Sequence, residues 1–316
     1  MSDSPTVDSN SGGSGGSDSG RRLPPWLKAK APGSPRYLEL KRLVKGLELN
    51  TVCESAHCPN IGECWGNGTA TFMILGDVCT RSCGFCAVKT GRPTWLDDGE
   101  PDRVAEAISK LNLRHAVITS VNRDELPDGG ADIFSRTIQA VHARCPQTSI
   151  EVLIPDFQGN WEALELVLTA APEILNHNIE TVPRLYRIMR PQARYERSLE
   201  LLERAAQFGP APTKSGMMLG AGESRQETHQ SISDLANVGC SILTLGQYLS
   251  PSAQHVPVDR FVHPDEFVEL RDFALGLGFR HVESGPMVRS SYHAENQVDD
   301  MVAAGPLIHS QTTDPQ

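Results

Sequence analysis

Residues 53–86 read CESAHCPNIGECWGNGTATFMILGDVCTRSCGFC and hold six of the chain's eight cysteines. The six form two groups of different spacing, a first triplet of Cys53, Cys58 and Cys64 and a second triplet of Cys79, Cys83 and Cys86. Three thiolates are one ligand short of the four that close a structural zinc site or a four-iron cluster. Each triplet therefore predicts a metal centre with one coordination position left for another group.

The apolar run TATFMIL at residues 69–75 lies between the triplets and predicts a buried strand, because β-branched and apolar residues run together there. Further strands then alternate with amphipathic helices along the chain. The predicted strands cover 115–121, 148–154, 173–180, 212–219 and 241–249, and the predicted helices cover 101–111, 131–144, 161–169, 195–208 and 224–238. This alternation indicates right-handed βαβ crossovers and a parallel sheet.

Six βα units predict an α/β fold, a partial (β/α)6 TIM-type barrel, with a doubly wound open sheet as the alternative. In both architectures the active site lies at the carboxyl ends of the strands, where the second triplet follows the first strand. The expected organisation is a disordered Ser/Gly tail at 1–20, an N-terminal extension at 21–68 with the first triplet, the barrel at 69–262, and a C-terminal extension at 263–316.

The composition restricts the classes of function. A chain of 316 residues with 39% apolar residues can bury a core without disulfides. A net charge of −10 and a pI near 5.5 disfavour nucleic-acid binding, which needs a basic face. No apolar run reaches the roughly 20 residues of a membrane span, and the start MSDSP has no targeting pattern. We therefore expect a cytoplasmic protein, in which clustered cysteines more often bind metal than form disulfides.

The second triplet has the spacing C-x3-C-x2-C, which can wrap one corner of a four-iron cubane and leave the fourth iron open. A zinc knuckle is the structural alternative, although no second C-x2-C or histidine pair follows to close it. In a loop after the first predicted strand, the spacing resembles the signature of the radical SAM superfamily. The resemblance implies S-adenosylmethionine (SAM) at the open iron, where its reductive cleavage gives a 5′-deoxyadenosyl radical.

The first triplet, followed by the second, resembles the lipoyl synthase family. The resemblance extends over residues 21–293 and includes RDELPDGG at 123–130, NHNIETVP at 176–183 and RSSYH at 289–293. It implies two [4Fe–4S] clusters, one held by the second triplet and an auxiliary one held by the first triplet and Ser291. In the family the auxiliary cluster is the sulfur donor, so the cysteines of the first triplet are implied to act in catalysis.

The resemblance further implies radical insertion of two sulfur atoms at C6 and C8 of a protein-bound octanoyl-lysine, which gives lipoyl-lysine. The implied partners are octanoylated lipoyl domains of 2-oxoacid dehydrogenases or the glycine-cleavage H protein, a ferredoxin or flavodoxin as electron donor, and an iron–sulfur carrier. A biotin-synthase-like enzyme acting on a free small molecule is one alternative, which the first triplet and the RSSY turn disfavour. A non-catalytic iron–sulfur or zinc protein is the other, and six βα units exceed what it needs.

Polar residues on the fourth predicted strand alternate onto one face, where Asn176, Asn178 and Glu180 would point inward. Inward polar groups are costly without a partner, so Asn178 and Glu180 are expected to bind SAM, with a structural polar network as the alternative. Lys214 on the fifth strand and Arg194 in the preceding loop are further candidates to pair with the SAM carboxylate. A surface or interstrand role suits these two cations equally well.

Overall fold

The structure is a computed structural model that describes residues 23–29, 31–56, 58–67, 69–292 and 294. The predicted tail at 1–20 and most of the chain beyond 292 lie outside the described residues. The strands are β1 (Asn50–Thr51), β2 (Thr71–Ile74), β3 (Val78–Cys79), β4 (Lys89–Thr90), β5 (His115–Ser120), β6 (Ser149–Leu153), β7 (Ile174–Asn176), β8 (Thr213–Leu219), β9 (Ile242–Gln247) and β10 (His281–Gly285).

Helices alternate with these strands over most of the described chain. They are α1 (Pro35–Gly46), α2 (Val52–Ser55), α3 (Ile61–Asn67), α4 (Glu100–Leu111), α5 (Ala131–Arg144), α6 (Trp161–Thr169), α7 (Tyr186–Met189), α8 (Tyr195–Phe208), α9 (Arg225–Asn237) and α10 (Pro264–Gly276). None of them, within the described ranges, combines the length and apolar character needed to cross a bilayer.

The main sheet has the order β1-β2-β5-β6-β7-β8-β9-β10, and β3 pairs with β4 in a separate two-stranded sheet. Every pairing in the main sheet is parallel except that of β1 with β2. The order follows the chain without the reversal that defines a doubly wound sheet. No ladder joins β1 to β10 in the described ranges. The predicted partial barrel is therefore confirmed, with a seventh parallel strand, β10, that the sequence pattern did not predict.

The two faces of the sheet differ in chemistry. Ile150 and Val152 of β6 belong to the main hydrophobic cluster together with Phe134 and Ile138 of α5. Because side chains alternate along a strand, Glu151 faces the opposite side, which is the interior of the barrel. The helices thus cover an apolar outer face, whereas the interior carries polar groups that a purely structural core would not need.

The fourth predicted strand, 173–180, is shorter in the structure, where β7 ends at Asn176. The chain leaves the pleated conformation after this residue and returns to the sheet at Glu180, which forms an isolated parallel bridge with Met217. Glu180 has a φ of 66°, in the left-handed region that is uncommon for residues with a side chain. This irregular turn lies at the carboxyl end of the barrel, where strained backbone often marks a functional site.

Candidate active site

The second triplet lies on a loop that leaves the carboxyl end of β2. Leu75 and Gly76 have φ values of 69° and 90° and turn the chain out of the strand. The Leu75 N–H donates to the buried carboxylate of Glu100 at 2.6 Å, which holds this turn against α4. The next residues form β3, so the position of Cys79 relative to the barrel rim is fixed.

Hydrogen bonds reach the sulfur of Cys79 from two directions. The backbone N–H of Arg81 donates to Cys79 Sγ at 3.4 Å, and the N–H of Asn122, beyond the end of β5, donates at 3.3 Å. Such bonds stabilise negative charge on sulfur and are among the factors that set the potential of an iron–sulfur cluster. The environment of Cys79 is therefore suited to a thiolate ligand.

The three thiols of the second triplet interact electrostatically. Burial raises the pKa of Cys83 to about 12, and Cys86 and Cys79 contribute to the rise. Burial likewise raises the pKa of Cys86, with Cys79 again contributing. The Cys83 and Cys86 thiols, which resist ionisation, need a cationic group to hold them as thiolates. The donor set thus fits an iron–sulfur cluster.

The donors do not converge on one point. In the described part of the chain, no three His, Cys, Asp or Glu side chains approach closely enough to hold a single metal ion. The thiolates of a cubane bind different irons, so they stand farther apart than the ligands of one ion.

Neighbouring segments fix the backbone of the cluster loop, residues 79–86. The Gly84 N–H donates to the Met189 carbonyl at 2.9 Å, and the Gly84 carbonyl accepts from the Val256 N–H at 2.9 Å. A Cβ at Gly84 would lie 2.5 Å from the Ile188 carbonyl oxygen. His255 Nε2 is also 3.1 Å from the Cys86 carbonyl oxygen. Glycine is therefore required at position 84 for this packing.

A buried ion network anchors the middle of the cluster loop. Arg81 donates to Asp124 at 2.7 Å and to Asp156 at 2.6 Å, and Asp156 also accepts from Arg197 at 3.1 Å. Burial alone would raise the pKa of Asp156, but the bonds and charge of Arg81 lower it to about 2. Sequence reasoning missed this network; the signal was an arginine inside the cysteine motif with aspartates after two successive strands.

Asn178 and Glu180 lie beside the second triplet. Asn178 Nδ2 donates to Glu180 Oε1 at 3.1 Å, whereas the buried Asn178 Oδ1 has no partner among the described residues. A Cβ at Gly216 would come within 2.9 Å of that oxygen, so glycine leaves space in front of it. The carboxylate of Glu180 interacts with Cys83 and Cys86. An unpartnered buried acceptor next to the cysteines leaves a position for a ligand donor.

Lys214 and Arg194 lie in other environments. Lys214 Nζ is fully buried and lies 2.9 Å from both carboxylate oxygens of Glu151, which also accepts from Asn176 Nδ2 at 2.7 Å. This cluster crosses β6, β7 and β8 inside the barrel, so Lys214 has the interstrand role that the sequence left open. Arg194 is exposed just before α8 and has no side-chain partner in the described ranges. A SAM contact for either residue stays a prediction.

The first triplet spans α2 to α3. Cys53 lies in α2 and is buried, which raises its pKa, and the neighbouring Cys58 adds to this effect. The Cys58 N–H donates to the Cys53 carbonyl at 3.0 Å, and the Cys64 N–H donates to the Asn60 carbonyl at 2.9 Å. Trp65 is fully buried behind these thiols. The N-terminal segment therefore brings at least two thiols together.

The predicted serine lies on a turn that meets the first triplet. Asn60 Nδ2 donates to the Met287 carbonyl at 2.6 Å, across 227 residues of sequence. Burial lowers the pKa of the Arg289 guanidinium, and the nearby Cys58 opposes this effect. A Cβ at Gly246 would lie 2.1 Å from the Val288 carbonyl oxygen. Glycine at this position therefore allows the turn that contains Val288 to pack against β9. The segment that carries Ser291 thus packs on the loop of the first triplet.

Comparisons with known proteins agree with this geometry. The model of the Radical SAM superfamily matches residues 73–235, and the model of the N-terminal domain of lipoyl synthase matches residues 9–58. Methylornithine synthase is 15% identical with a TM-score of 0.52, covering 79% of this chain and 78% of its own. SuiB of Streptococcus suis bound to its precursor peptide SuiA is 10% identical with a TM-score of 0.55, covering 78% and 52%. Fold and site together define a radical SAM protein.

Sequence relatives narrow the class further. The lipoyl synthase of Roseiflexus sp. (strain RS-1) is 58% identical over 279 residues, which are 88% of this chain and 93% of the relative. The lipoyl synthase of Rubrobacter xylanophilus is 58% identical over 278 residues, 88% and 87% of the two chains. The chain belongs to the lipoyl synthase family.

Proposed function

We propose that the second triplet holds the [4Fe–4S] cluster that cleaves SAM, and that the first triplet and Ser291 hold the auxiliary [4Fe–4S] cluster that donates sulfur. The chain is a radical SAM enzyme with SAM and two four-iron clusters as cofactors. It is a lipoyl synthase, which inserts two sulfur atoms at C6 and C8 of a protein-bound octanoyl-lysine to give lipoyl-lysine. The observation that carries the assignment is the packing of the Met287–Arg289 turn on the loop of the first triplet.

The reaction needs a radical, which no ionisable side chain supplies. When bound, SAM and the cluster supply a radical able to take hydrogen from an unactivated methylene group. The protein's own part is to hold these groups in place. The N–H groups of Arg81 and Asn122 stabilise the Cys79 thiolate, and the pairs Arg81–Asp124 and Arg81–Asp156 fix the loop around it.

Asn178 and Glu180 are proposed to position SAM. The free Asn178 Oδ1 can accept a hydrogen bond from a ligand hydroxyl or amino group, and Gly216 leaves the space for that ligand. Glu180 is next to Cys83 and Cys86 and offers a second acceptor. A ligand bound by both residues lies against the second triplet, as reductive cleavage requires.

The barrel interior is proposed to shield the reaction from water. Glu151, Asn176 and Lys214 bond to one another across the interior, on the strands whose carboxyl ends carry the site. The octanoyl chain would therefore enter from the carboxyl ends, between the two triplets. Exclusion of water there protects a reactive radical from side reactions.

Ser291 is proposed as the ligand that lets the auxiliary cluster come apart. A serine oxygen is a harder ligand than a thiolate and is less suited to the iron of a cluster. Its turn packs on the first triplet from the far end of the chain, so it can leave while the three thiolates stay. Ser291 would thus hold its iron more weakly than the three thiolates would hold theirs, which would suit a cluster that supplies sulfur.

The substrate is a lipoyl-domain protein, as the family requires. We propose further that the carrier belongs to a 2-oxoacid dehydrogenase or is the glycine-cleavage H protein. A reduced ferredoxin or flavodoxin is proposed as electron donor, and an iron–sulfur carrier is proposed to rebuild the auxiliary cluster. A cytoplasmic location is part of the same proposal, since reduced thiols there stay available to iron.

Substitution of the two triplets separates the proposed roles. Replacing Cys79, Cys83 and Cys86 with Ala should abolish SAM cleavage, because no cluster then donates the electron. Replacing Cys53, Cys58 and Cys64 with Ala should leave SAM cleavage intact and stop sulfur insertion, measured by mass spectrometry of an octanoylated carrier. Lipoyl product from the second variant would refute the donor role of the first triplet.

A further inference from the structure

Arg190, directly after α7, is a buried cation without an ionic partner. It is 8% exposed. Its Nη1 donates to the Asn178 carbonyl at 2.8 Å, to the Ile179 carbonyl at 3.2 Å and to Tyr186 Oη at 3.1 Å. Its Nε and Nη2 have no acceptor within the described part of the chain, and no carboxylate there comes within ion-pair distance. A buried guanidinium in this state has no direct ion pair among the described residues to offset the cost of its burial.

The backbone around Arg190 fixes the guanidinium next to the cluster loop. Met189 accepts from the N–H of Gly84, the residue that follows Cys83, at 2.9 Å. The Ile188 carbonyl oxygen lies 2.5 Å from where a Gly84 Cβ would stand, so the two segments are in direct contact. The bonds to Asn178 and Ile179 hold the other side of the guanidinium. Arg190 is thus placed between the second triplet and the irregular turn before Glu180.

The anions nearest to this cation belong to the site. The guanidinium interacts electrostatically with the Cys83 sulfur, on the cluster loop that Met189 and Ile188 contact. It also interacts with the carboxylate of Glu180, which directly follows the two residues whose carbonyls Arg190 binds. Both groups lie close enough to interact with the charge of Arg190, which forms no ion pair with a carboxylate among the described residues. Their negative forms are therefore the ones that Arg190 stabilises.

We propose that Arg190 is a positioning residue whose fixed positive charge makes the second-triplet cluster easier to reduce. This inference rests on the proposed role of the second triplet as a cluster site. Net charge near a cluster is one of the factors that set its reduction potential, and a nearby cation favours the more negative, reduced form. For a one-electron couple, a tenfold change in the equilibrium constant for reduction corresponds to about 59 mV.

The test uses the full chain with Cys53→Ala, Cys58→Ala and Cys64→Ala, so that only the second triplet can hold a cluster. The midpoint potential of that cluster is measured in the absence of SAM for this protein and for its Arg190→Gln and Arg190→Lys derivatives. Both substitutions shorten the side chain and lose the guanidinium fork, but only lysine keeps the charge. Arg187→Gln, which neutralises an exposed arginine on the same segment, is the matched control.

Arg190→Gln should lower the equilibrium constant for reduction about tenfold, or about 59 mV, while Arg190→Lys and Arg187→Gln should stay close to the parent. Loss of the cluster in the glutamine variant alone would also support a need for charge.

Equal potentials in the glutamine and lysine variants, or cluster loss in both, would overturn the proposal. So would an unchanged potential with a raised KM for SAM, which would make Arg190 a ligand of the SAM carboxylate. If the parent held no four-iron cluster, the proposed function itself would fail.

Discussion

Two adjacent serines in the turn at 289–292 offer a matched test of the auxiliary site at the scale of single residues. Ser290 and Ser291 are chemically identical, lie on the same turn, and are both partly exposed. Ser291→Ala should reduce sulfur insertion at least tenfold and weaken retention of the auxiliary iron, because an oxygen ligand is lost. Ser290→Ala should leave both unchanged. Iron content and product mass are the two measurements, and equal effects of both substitutions would contradict the assignment.

Asp156 connects the protonation of one residue to the stability of the cluster loop. Its folded-state pKa of about 2 lies below the ordinary aspartate value of about 3.9. Its contribution to the free energy of unfolding is therefore fully present above about pH 3.9, and it is lost as the pH falls through about 2. In metal-free protein unfolded with urea, Asp156→Asn should cost about 3 kcal/mol at neutral pH and flatten this acid dependence.

Asp98 provides the control for that substitution. Its side chain is 81% exposed, and it forms a surface ion pair with Arg136. Asp98→Asn should change the free energy of unfolding by less than about 1 kcal/mol, since exposed ion pairs contribute little. If the Asp156→Asn protein kept the same acid dependence as the parent, Asp156 would not be the group that Arg81 stabilises.

Residue types and spacing were sufficient to propose metal ligands but not to predict the contacts around them. The two triplets and Ser291 follow from pattern and family resemblance. The ion pairs of Arg81, and the lack of an ion pair at Arg190 among the described residues, depend on which loops meet at the barrel rim. No local sequence pattern encodes which loops meet. Lys214 shows the same limit, because its partner Glu151 lies on another strand, 63 residues earlier in the chain.

At the scale of elements, two glycines on neighbouring strands each lie beside a different half of the site. A Cβ at Gly246 of β9 would lie 2.1 Å from the Val288 carbonyl oxygen, on the turn of Ser291. A Cβ at Gly216 of β8 would instead meet Thr244 Oγ1 at 2.6 Å and Asn178 Oδ1 at 2.9 Å. Both contacts are too close for a side chain, so each substitution must displace its own neighbour.

Gly246→Ala should therefore stop sulfur insertion while SAM cleavage continues, since it displaces the turn of Ser291. Gly216→Ala should raise the KM for SAM in the cleavage assay, because it fills the space before Asn178. Each variant serves as the other's control for general destabilisation, expected at about 1–3 kcal/mol for overpacking. The same defect in both variants would indicate that the two halves of the site are not separable.

The alternation of strands and helices was predictable for the barrel because each unit has a strong local pattern. Helices α5, α6 and α8 begin and end where the pattern places them. Two strands differ for physical reasons. The fourth predicted strand ends at Asn176, and the chain rejoins the sheet only at Glu180, whose backbone is left-handed. Strand β10, with the sequence HVESG, pairs with β9 without a continuous apolar run. Edge strands and irregular turns depend on tertiary pairing more than on composition.

At the scale of the whole molecule, the fold brings together segments that are far apart in sequence. The first triplet precedes the barrel and the turn of Ser291 follows it, yet the Asn60–Met287 bond joins them. The second triplet lies on the loop after β2, the first barrel strand, at the carboxyl end of the barrel. A chain in this arrangement should bind about eight irons and eight sulfides after anaerobic reconstitution, four for each cluster. Zinc in their place would contradict the cluster assignment.

In the proposed mechanism one triplet holds the cluster that generates the radical, and the other holds the cluster that gives up its sulfur. The most direct test reconstitutes the protein with isotopically heavy sulfide, removes the free sulfide, and adds an octanoylated carrier, SAM and reductant without oxygen. Mass spectrometry of the carrier should show a lipoyl group with both sulfur atoms heavy, formed at most once per chain until the auxiliary cluster is rebuilt. A lipoyl group with light sulfur, or an unchanged octanoyl chain, would contradict the account.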